Sequence, residues 1–232
     1  MTLAQGVGMT GPTDATAETF GVSPLNGSTA DMEHVEASFL CADVVRFTAM
    51  TQRLGDHTSL RLMRRVARLV QAEAASRQGR VVEVRGDSFL VALSCSELSV
   101  ECALAIHTVL AHDAAHHPDG GVDVRMAIHT GHVIQMRDQY FGLNVILPYR
   151  MLPKVSAGQI AITDAARARI GSEALDLVGE RRSFHPKGFQ EDVAFTVLET
   201  RERIAVRGIR RSRTTDHSHD QVAGAQVALR AS

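Results

Sequence analysis

The sequence lacks the features that mark secreted, membrane-spanning and zinc-binding proteins. Its three cysteines, Cys41, Cys95 and Cys102, are an odd number and match no zinc-ligand spacing. No apolar run reaches the roughly 20 residues that a membrane-spanning helix needs. The N-terminus also lacks the charged segment and apolar core of a secretory signal. We therefore expect a soluble, cytoplasmic protein with reduced thiols.

The chain also has no large excess of positive or negative side chains. The chain carries 25 basic and 26 acidic side chains, so no overall field attracts nucleic acid or a membrane surface. One short cluster of arginines, at Arg207, Arg210, Arg211 and Arg213, has no aromatic residues between its members. Such a cluster is typical of a solvated tail, so we expect neither nucleic acid nor membrane as a partner.

Composition divides the chain into one domain and two tails. A length of 232 residues leaves room for a single well-cored domain. Residues 1–33 are rich in Gly, Thr, Ala and Ser without any period, which predicts a disordered leader. Residues 199–232 are basic and then polar, which predicts a second disordered tail. The predicted domain is therefore 34–198.

The spacing of apolar residues predicts the order of elements in this domain. Short apolar runs indicate strands, and apolar residues at steps of three and four indicate helices. The predicted elements are strands at 35–42, 80–84, 89–93 and 122–128, with helices at 60–74 (stopped at Gly79) and 97–115. This β-α-β-β-α-β order predicts a ferredoxin-like α+β fold, in which an antiparallel sheet carries helices on one face.

The C-terminal part of the predicted domain elaborates this core. A hairpin is expected after Gly131 and a helix that ends at Arg150. Strands are expected at 159–163 and 193–197, with a short helix at 165–170 between them.

Two carboxylates occupy positions that the fold brings together. Asp43 directly follows the first strand, and Asp87 lies in the hairpin between the next two strands. In a βαββ unit the first strand lies beside the hairpin, so these side chains are expected to be neighbours. Two adjacent carboxylates repel each other, and a hard divalent cation relieves that repulsion. Taken singly, Asp43 could be a helix cap and Asp87 an ordinary turn residue; together they predict a magnesium site.

Five segments, in order and at matching spacing, resemble motifs of the class III adenylate and guanylate cyclases. Residues 39–48, FLCADVVRFT, resemble the family's F-x-D-I-x-G-F-T, and residues 79–87 resemble G-x-x-x-K-x-x-G-D. Residues 124–131 are similar to V-R-I-G-I-H-T-G, 140–150 to the helix F-G-x-x-V-N-x-A-x-R, and 186–188 to L-K-G. The resemblance covers about residues 35–198.

This resemblance implies a mechanism and its residues. Asp43 and Asp87, with the carbonyl of Val44, would hold two Mg²⁺ or Mn²⁺ ions that activate the ribose 3′-hydroxyl of a nucleoside triphosphate. Arg150 would stabilise the phosphate in the transition state, and Lys187 would meet the pyrophosphate end. For both basic residues the alternative is an ordinary surface salt bridge.

The resemblance also implies a phosphate cradle and a dimer. The backbone N–H groups of Val45, Arg46, Phe47 and Thr48, at the start of a helix, would bind the β- and γ-phosphates. In this family the metals lie on one subunit, and the helix with the arginine comes from the other. A single domain would therefore form a head-to-tail homodimer with two equivalent sites.

One position departs from the family pattern and supports a different reading. The family has an asparagine four residues before the arginine, and here that residue is Ile146. Asn144 is two residues earlier, about 200° around a helix, and is a poor substitute. Ile146 favours an alternative, a catalytically weak cyclase-like module that binds nucleotide or regulates by dimerising. Asp43, Asp87 and Arg150 oppose that alternative.

The base-selecting positions fit neither the adenylate nor the guanylate pattern. The residue four before the second aspartate is Lys in adenylate and Glu in guanylate cyclases, and here it is Glu83. A carboxylate suits the N–H groups of guanine, but a charge on the solvent side of a strand explains Glu83 equally well. The partner position is Gln139, whose amide can donate or accept. The frequency of adenylate cyclases in the family favours ATP, with GTP next and a pyrimidine triphosphate third.

Overall fold

A computed structural model describes residues 32–117, 121–171 and 179–200. Nearly all of the predicted leader and tail, the arginine cluster at 207–213 and most of a turn expected at 118–121 lie outside the described residues.

The described residues form helices and strands in the predicted order. In chain order they are β1 (Met32–Val44), α1 (Phe47–Leu54), α2 (Asp56–Ala75), β2 (Arg80–Arg85), β3 (Ser88–Leu93), α3 (Ser96–His116), β4 (Val124–Met136), β5 (Gln139–Phe141), α4 (Leu143–Met151), a 3₁₀ turn (Leu152–Lys154), β6 (Gln159–Thr163), α5 (Asp164–Arg167), β7 (Glu180–Phe184) and β8 (Val193–Glu199). The hairpin expected after Gly131 turns later than its position suggests, because β4 continues to Met136 before it pairs with β5.

The strands form a single sheet in the order β2-β3-β1-β4-β6-β8-β7, with β5 paired to β4. The β2-β3-β1-β4 portion is antiparallel throughout, which confirms the predicted ferredoxin-like core. β6 then pairs with β4 in parallel, and β8 and β7 continue the sheet in antiparallel pairs. β7 was not expected, because its sequence, ERRSF, has no apolar run; it is an edge strand held by its backbone ladder to β8.

Both faces of the sheet are covered by apolar groups. Along β1, Leu40 and Ala42 pack in one cluster with α2 and α3, while Phe39 and Cys41 pack in another with Leu147 of α4. The long helices therefore lie on one face, as predicted, and α4 lies on the opposite face, which we call the α4 face. The sequence of β1 explains this arrangement, since a nearly continuous apolar run exposes an apolar surface in both directions.

Gly79 ends the second helix in a different way from the one expected. Gln78 is the residue in the left-handed conformation, with φ 58°, and the Gly79 N–H donates to the Ala74 carbonyl at 2.9 Å. A Cβ atom on Gly79 would lie 2.8 Å from Leu93 Cγ and 3.0 Å from the Ala92 carbonyl oxygen. Glycine is required at position 79 because the chain passes close to β3. A left-handed backbone conformation at Gly79 is not the reason.

The thiols agree with the prediction from composition. Cys41 and Cys102 are buried free cysteines, and Cys95 is partly buried and also free. Burial raises the pKa of Cys102 to about 11, so this thiol stays protonated and behaves as a small apolar core group. Among the described residues, no helix combines the length and apolar character that crossing a bilayer requires.

Replacement of Gly79 by alanine should destabilise the fold. The new methyl group overlaps the branch point of Leu93 and the β3 backbone, so we expect a loss of about 1–3 kcal/mol in the free energy of unfolding. Gly171→Ala is the matched control, because no heavy atom of the described residues lies within 4 Å of its Cβ position, and its effect should stay within about 0.5 kcal/mol. Urea denaturation followed by circular dichroism measures both. Equal midpoints for the two variants would contradict the close approach at Gly79.

Candidate active site

Asp43 is a buried carboxylate held in a fixed orientation. It lies in β1, and in the strand register it is opposite Ser88 of β3 and Arg125 of β4. The Ser88 hydroxyl donates to Oδ1 at 2.6 Å, while Nε and Nη2 of Arg125 each lie 2.8 Å from Oδ2. Only 7% of the residue is exposed. Because side chains alternate along a strand, Asp43 shares the α4 face with Cys41.

Asp87 is brought against the end of β1 by a tight turn. Gly86 and Asp87 connect β2 to β3, and Gly86 has φ 60°, which glycine adopts without strain. The Val44 N–H donates to the Asp87 carbonyl at 3.2 Å. Burial, and then the negative charge of Asp43, raise the pKa of Asp87 above its usual value. The structure therefore places the two carboxylates beside each other, as the βαββ order predicts.

This carboxylate pair fits a hard divalent cation. Burial and the neighbouring Asp43 both disfavour a negative charge on Asp87 and raise its pKa, and a bound cation would relieve both effects. Within the described ranges, no group of three or more His, Cys, Asp and Glu side chains is placed to hold a metal. Two carboxylates leave coordination positions open for water and phosphate oxygens, as Mg²⁺ prefers. Asp43, Asp87 and the Val44 carbonyl are the residues that would hold such ions.

Arg125 belongs to the site, although motif spacing alone did not identify it. It lies within the segment 124–131, and the signal that could have found it is the expected pairing of β1 with β4. Its guanidinium donates through Nε and Nη2 to Oδ2 of Asp43 and neutralises part of the charge on that carboxylate. Such donors suit the oxygen atoms of a phosphate group.

The amides at the start of α1 form a second part of the site. Arg46 directly precedes α1 and has φ 61°, a left-handed conformation that is unusual for a residue other than glycine. The first N–H groups of a helix have no partners within it, so those of Arg46, Phe47 and Thr48 remain candidates for binding an anion. Val45 requires a correction, because its N–H donates to the Asp123 carbonyl at 2.8 Å and is not free for phosphate.

Among the described residues, Arg150 and Lys187 make no contact with the two carboxylates. Arg150 is exposed in the last turn of α4, and Lys187 is exposed in the turn between β7 and β8. Among the described residues, neither side chain forms an ion pair, and neither bonds to Asp43 or Asp87. The surface salt bridge considered from the sequence is therefore not formed within the described part of the chain.

Glu83 bonds to two side chains of its own chain. Arg85 Nε donates to Glu83 Oε1 at 2.6 Å, and the Tyr149 hydroxyl donates to Oε2 at 3.0 Å. The Arg85 guanidinium also lies over the Tyr149 ring, 5.1 Å from its centroid. Gln139, the other base-selecting candidate, begins β5 opposite Met136. The sequence indicated Glu83, but it gave no sign of the contact with Tyr149.

The Asn144 side chain points into the protein, so it does not substitute for the asparagine that the family carries at the position of Ile146. Its Oδ1 lies 3.0 Å from His129 Nε2, and its Nδ2 donates to the His132 carbonyl at 2.8 Å. Ile146 is 43% exposed on the other side of α4. The position where the family carries its asparagine is therefore apolar and open to solvent.

The fold agrees with the family that the sequence matches. The family model for the adenylate and guanylate cyclase catalytic domain matches residues 30–200, so the chain belongs to this family. The chain resembles the guanylyl cyclase Cya2, with a TM-score of 0.63 and 20% identity over 72% of this chain and 93% of that one. It also resembles the adenylyl cyclase CyaB from P. aeruginosa, with a TM-score of 0.58 and 18% identity over 73% and 97% of the two chains. These structural likenesses show the shared fold.

The curated relatives that the chain matches are longer proteins. One is "Putative adenylate cyclase 3" of Rhizobium meliloti (strain 1021), 27% identical over 144 residues, which cover 61% of this chain and 24% of that protein. Another is the serine/threonine-protein kinase pkn2 of Myxococcus xanthus, 26% identical over 150 residues, which cover 64% of this chain and 18% of the kinase. The match therefore spans a quarter or less of each relative.

Manganese should stabilise the chain through the two carboxylates. A ligand that binds only the folded state at 100 times its Kd adds about 2.7 kcal/mol, so the unfolding temperature should rise with Mn²⁺. Asp87→Asn should abolish this rise, and without Mn²⁺ it should unfold no earlier than the wild type, because it removes a disfavoured charge. Differential scanning calorimetry measures both effects. Asp192→Asn, an exposed carboxylate paired with His185, should keep the response to Mn²⁺, and a full response in Asp87→Asn would contradict the assignment.

Proposed function

We propose that this chain is a nucleotidyl cyclase that converts ATP to 3′,5′-cyclic AMP and pyrophosphate, with GTP as the second choice of substrate. The observation that carries the proposal is the adjacency of Asp43 and Asp87 at the end of β1, in a chain that belongs to the cyclase family. The name of the Rhizobium relative favours ATP. We place the reaction in the cytoplasm, where nucleoside triphosphates are available.

The proposed chemistry assigns each group of residues a task. Two Mg²⁺ or Mn²⁺ ions, when bound, would lower the pKa of the ribose 3′-hydroxyl and neutralise charge on the α-phosphate. Asp43 and Asp87 would hold these ions with the Val44 carbonyl, and Ser88 and Arg125 keep the Asp43 carboxylate in one orientation. Fixed donors and acceptors of this kind need no reorganisation during the reaction, which is the source of their catalytic effect.

The N-terminal end of α1 would bind the phosphates. The backbone N–H groups of Arg46, Phe47 and Thr48 would donate to oxygen atoms of the β- and γ-phosphates, since the N-terminal end of a helix favours negative charge. The left-handed conformation of Arg46 directs the chain into α1 at this point. Departure of pyrophosphate then takes place at a positively polarised end of the helix.

The exposed side of α4 supports assembly as a homodimer. Leu143, Ile146 and Arg150 recur at steps of three and four and share one side of the helix, where Leu143 is 56% and Ile146 is 43% exposed. Apolar groups of this size on a short helix favour coverage by another protein surface. We propose that a second copy covers them head to tail, so that Arg150 and Lys187 of one copy complete the site of the other.

A specific observation favours a second candidate function. Ile146 presents an apolar side chain where the family carries an asparagine that orients the ribose. Loss of a positioning group lowers the rate by orders of magnitude. The second candidate is therefore a dimerising module that binds a nucleoside triphosphate and turns it over weakly.

Product analysis distinguishes the two candidates. We expect purified protein with Mn²⁺ and each of ATP, GTP, CTP and UTP to form cyclic AMP fastest, as resolved by mass spectrometry. Asp43→Ala should lower the rate at least about 100-fold, because the metal ions lose a ligand. Asp192→Ala should leave the rate unchanged. Binding of ATP without any cyclic product would favour the second candidate, and faster formation of cyclic GMP would overturn the choice of base.

Mixing two inactive variants tests the shared site. Asp87→Asn lacks a metal ligand and Arg150→Ala lacks the phosphate cation, so each alone should be nearly inactive. In an equal mixture half of the dimers are mixed, and each of these has one intact site, so activity should recover to about one quarter of the wild type. The rate of cyclic product formation before and after mixing is the measurement. A mixture as inactive as its components would show that both residues act within one subunit.

A further inference from the structure

The helix that carries Arg150 is weak by itself. α4 has nine residues and contains Pro148 in its interior. Proline has no N–H group, so the Asn144 carbonyl loses the donor that a regular helix would supply. Helices of this length are also marginal in water without other contacts. The position of α4 must therefore come from bonds to the rest of the protein.

Two polar contacts hold α4, one near each end. Near its start, Asn144 bonds to His129 and to the His132 carbonyl of β4. Near its end, the Tyr149 hydroxyl donates to Glu83 of β2 at 3.0 Å. Between and beyond these contacts, Leu147, Pro148 and Met151 are buried, so apolar packing holds the helix against the sheet while the polar contacts tie its two ends to β4 and β2.

The contact at the end of α4 has a defined donor and acceptor. Burial, and then the nearby Cys41 and Glu83, raise the pKa of Tyr149, so its hydroxyl stays protonated and serves as the donor. Arg85 bonds to the other oxygen of Glu83 and lies over the Tyr149 ring, which fixes the carboxylate and the phenol together. Both carboxylate oxygens of Glu83 are thus engaged by the chain itself.

We propose that Glu83 is a positioning residue that acts through Tyr149. The hydrogen bond ties the last turn of α4 to β2 and sets the direction of Arg150, the residue that follows Tyr149. This inference rests on the proposed function, because it gives Arg150 its role at the phosphate. It also changes the expectation for Glu83: the carboxylate holds a helix in place, and the identity of the base is not read by it.

Three variants test this role by their effect on turnover. Tyr149→Phe and Glu83→Ala should each lower kcat by about tenfold, since each removes the same hydrogen bond. The double variant should be no slower than either single variant, because the two residues act as one unit. The ratio of kcat/KM for ATP to that for GTP should stay at the wild-type value in all three. A changed ratio in Glu83→Ala would show that the carboxylate reads the base and would overturn the proposal.

The Arg150→Ala background separates positioning from general loss of structure. If Tyr149 acts through Arg150, Tyr149→Phe should cause no further loss of activity in Arg150→Ala. A tenfold loss that persists in this background would overturn the proposal. The matched control is Glu180→Ala on β7, because Glu180 bonds to Arg182 two residues later at 2.6 Å, the same distance as in the pair of Glu83 and Arg85. That variant should match the wild type.

Hydrogen exchange tests the same contact without the reaction. The amides in the last turn of α4 should exchange about tenfold faster in Tyr149→Phe and in Glu83→Ala, and at the wild-type rate in Glu180→Ala. Unchanged exchange in α4 would overturn the positioning role even if activity fell. Wild-type protein that forms no cyclic product would refute the proposed function, and the exchange experiment would still decide whether Glu83 holds α4.

Discussion

The candidate site depends on one constraint, the strand register that fixes the position of Asp43 within β1. Asp43 is fixed because β1 pairs with β3 on one side and β4 on the other, so that Ser88 and Arg125 meet its two oxygens. A slip of one residue in either pairing would turn Asp43 to the opposite face of the sheet. The apolar layers on both faces make such a slip costly, because every buried side chain of β1 would have to exchange faces. The packing of the core thus determines the geometry of the charged site.

The two halves of the proposed site are supported in different ways. Asp43 and Asp87 lie on strands and a tight turn of the central sheet, where the backbone ladder itself supplies the rigidity. Arg150 lies on a short helix with a proline in its interior, which is held by buried apolar side chains on one side and a few polar side-chain bonds. Parts of a protein with few supporting bonds open most readily. Arg150 is therefore the part of the proposed site whose position can change more readily, and Asp43 and Asp87 are the fixed part.

The sequence was sufficient for the features that depend on local pattern. Apolar periodicity predicted the order of the core strands and helices, and that order alone placed Asp43 beside the turn of Asp87. It was insufficient where distant residues decide the outcome. The amide of Val45 is occupied by Asp123, and Tyr149 meets Glu83, 66 positions away, through contacts that no local pattern encodes. β7 was missed because a charged edge strand gains its structure from the ladder to β8 and has no apolar pattern of its own.

The hairpin of β2 and β3 contributes residues with two different roles within 14 residues, 80–93. Its turn carries Asp87, and its first strand holds α4 through Glu83. In the proposed head-to-tail dimer these belong to different sites, since α4 serves the neighbouring copy. Binding of nucleotide at one site would then move the hairpin. Through the bond between Glu83 and Tyr149, this movement would change the orientation of Arg150, which serves the second site. Cooperativity between the two sites would follow from this shared hairpin without any separate regulatory domain.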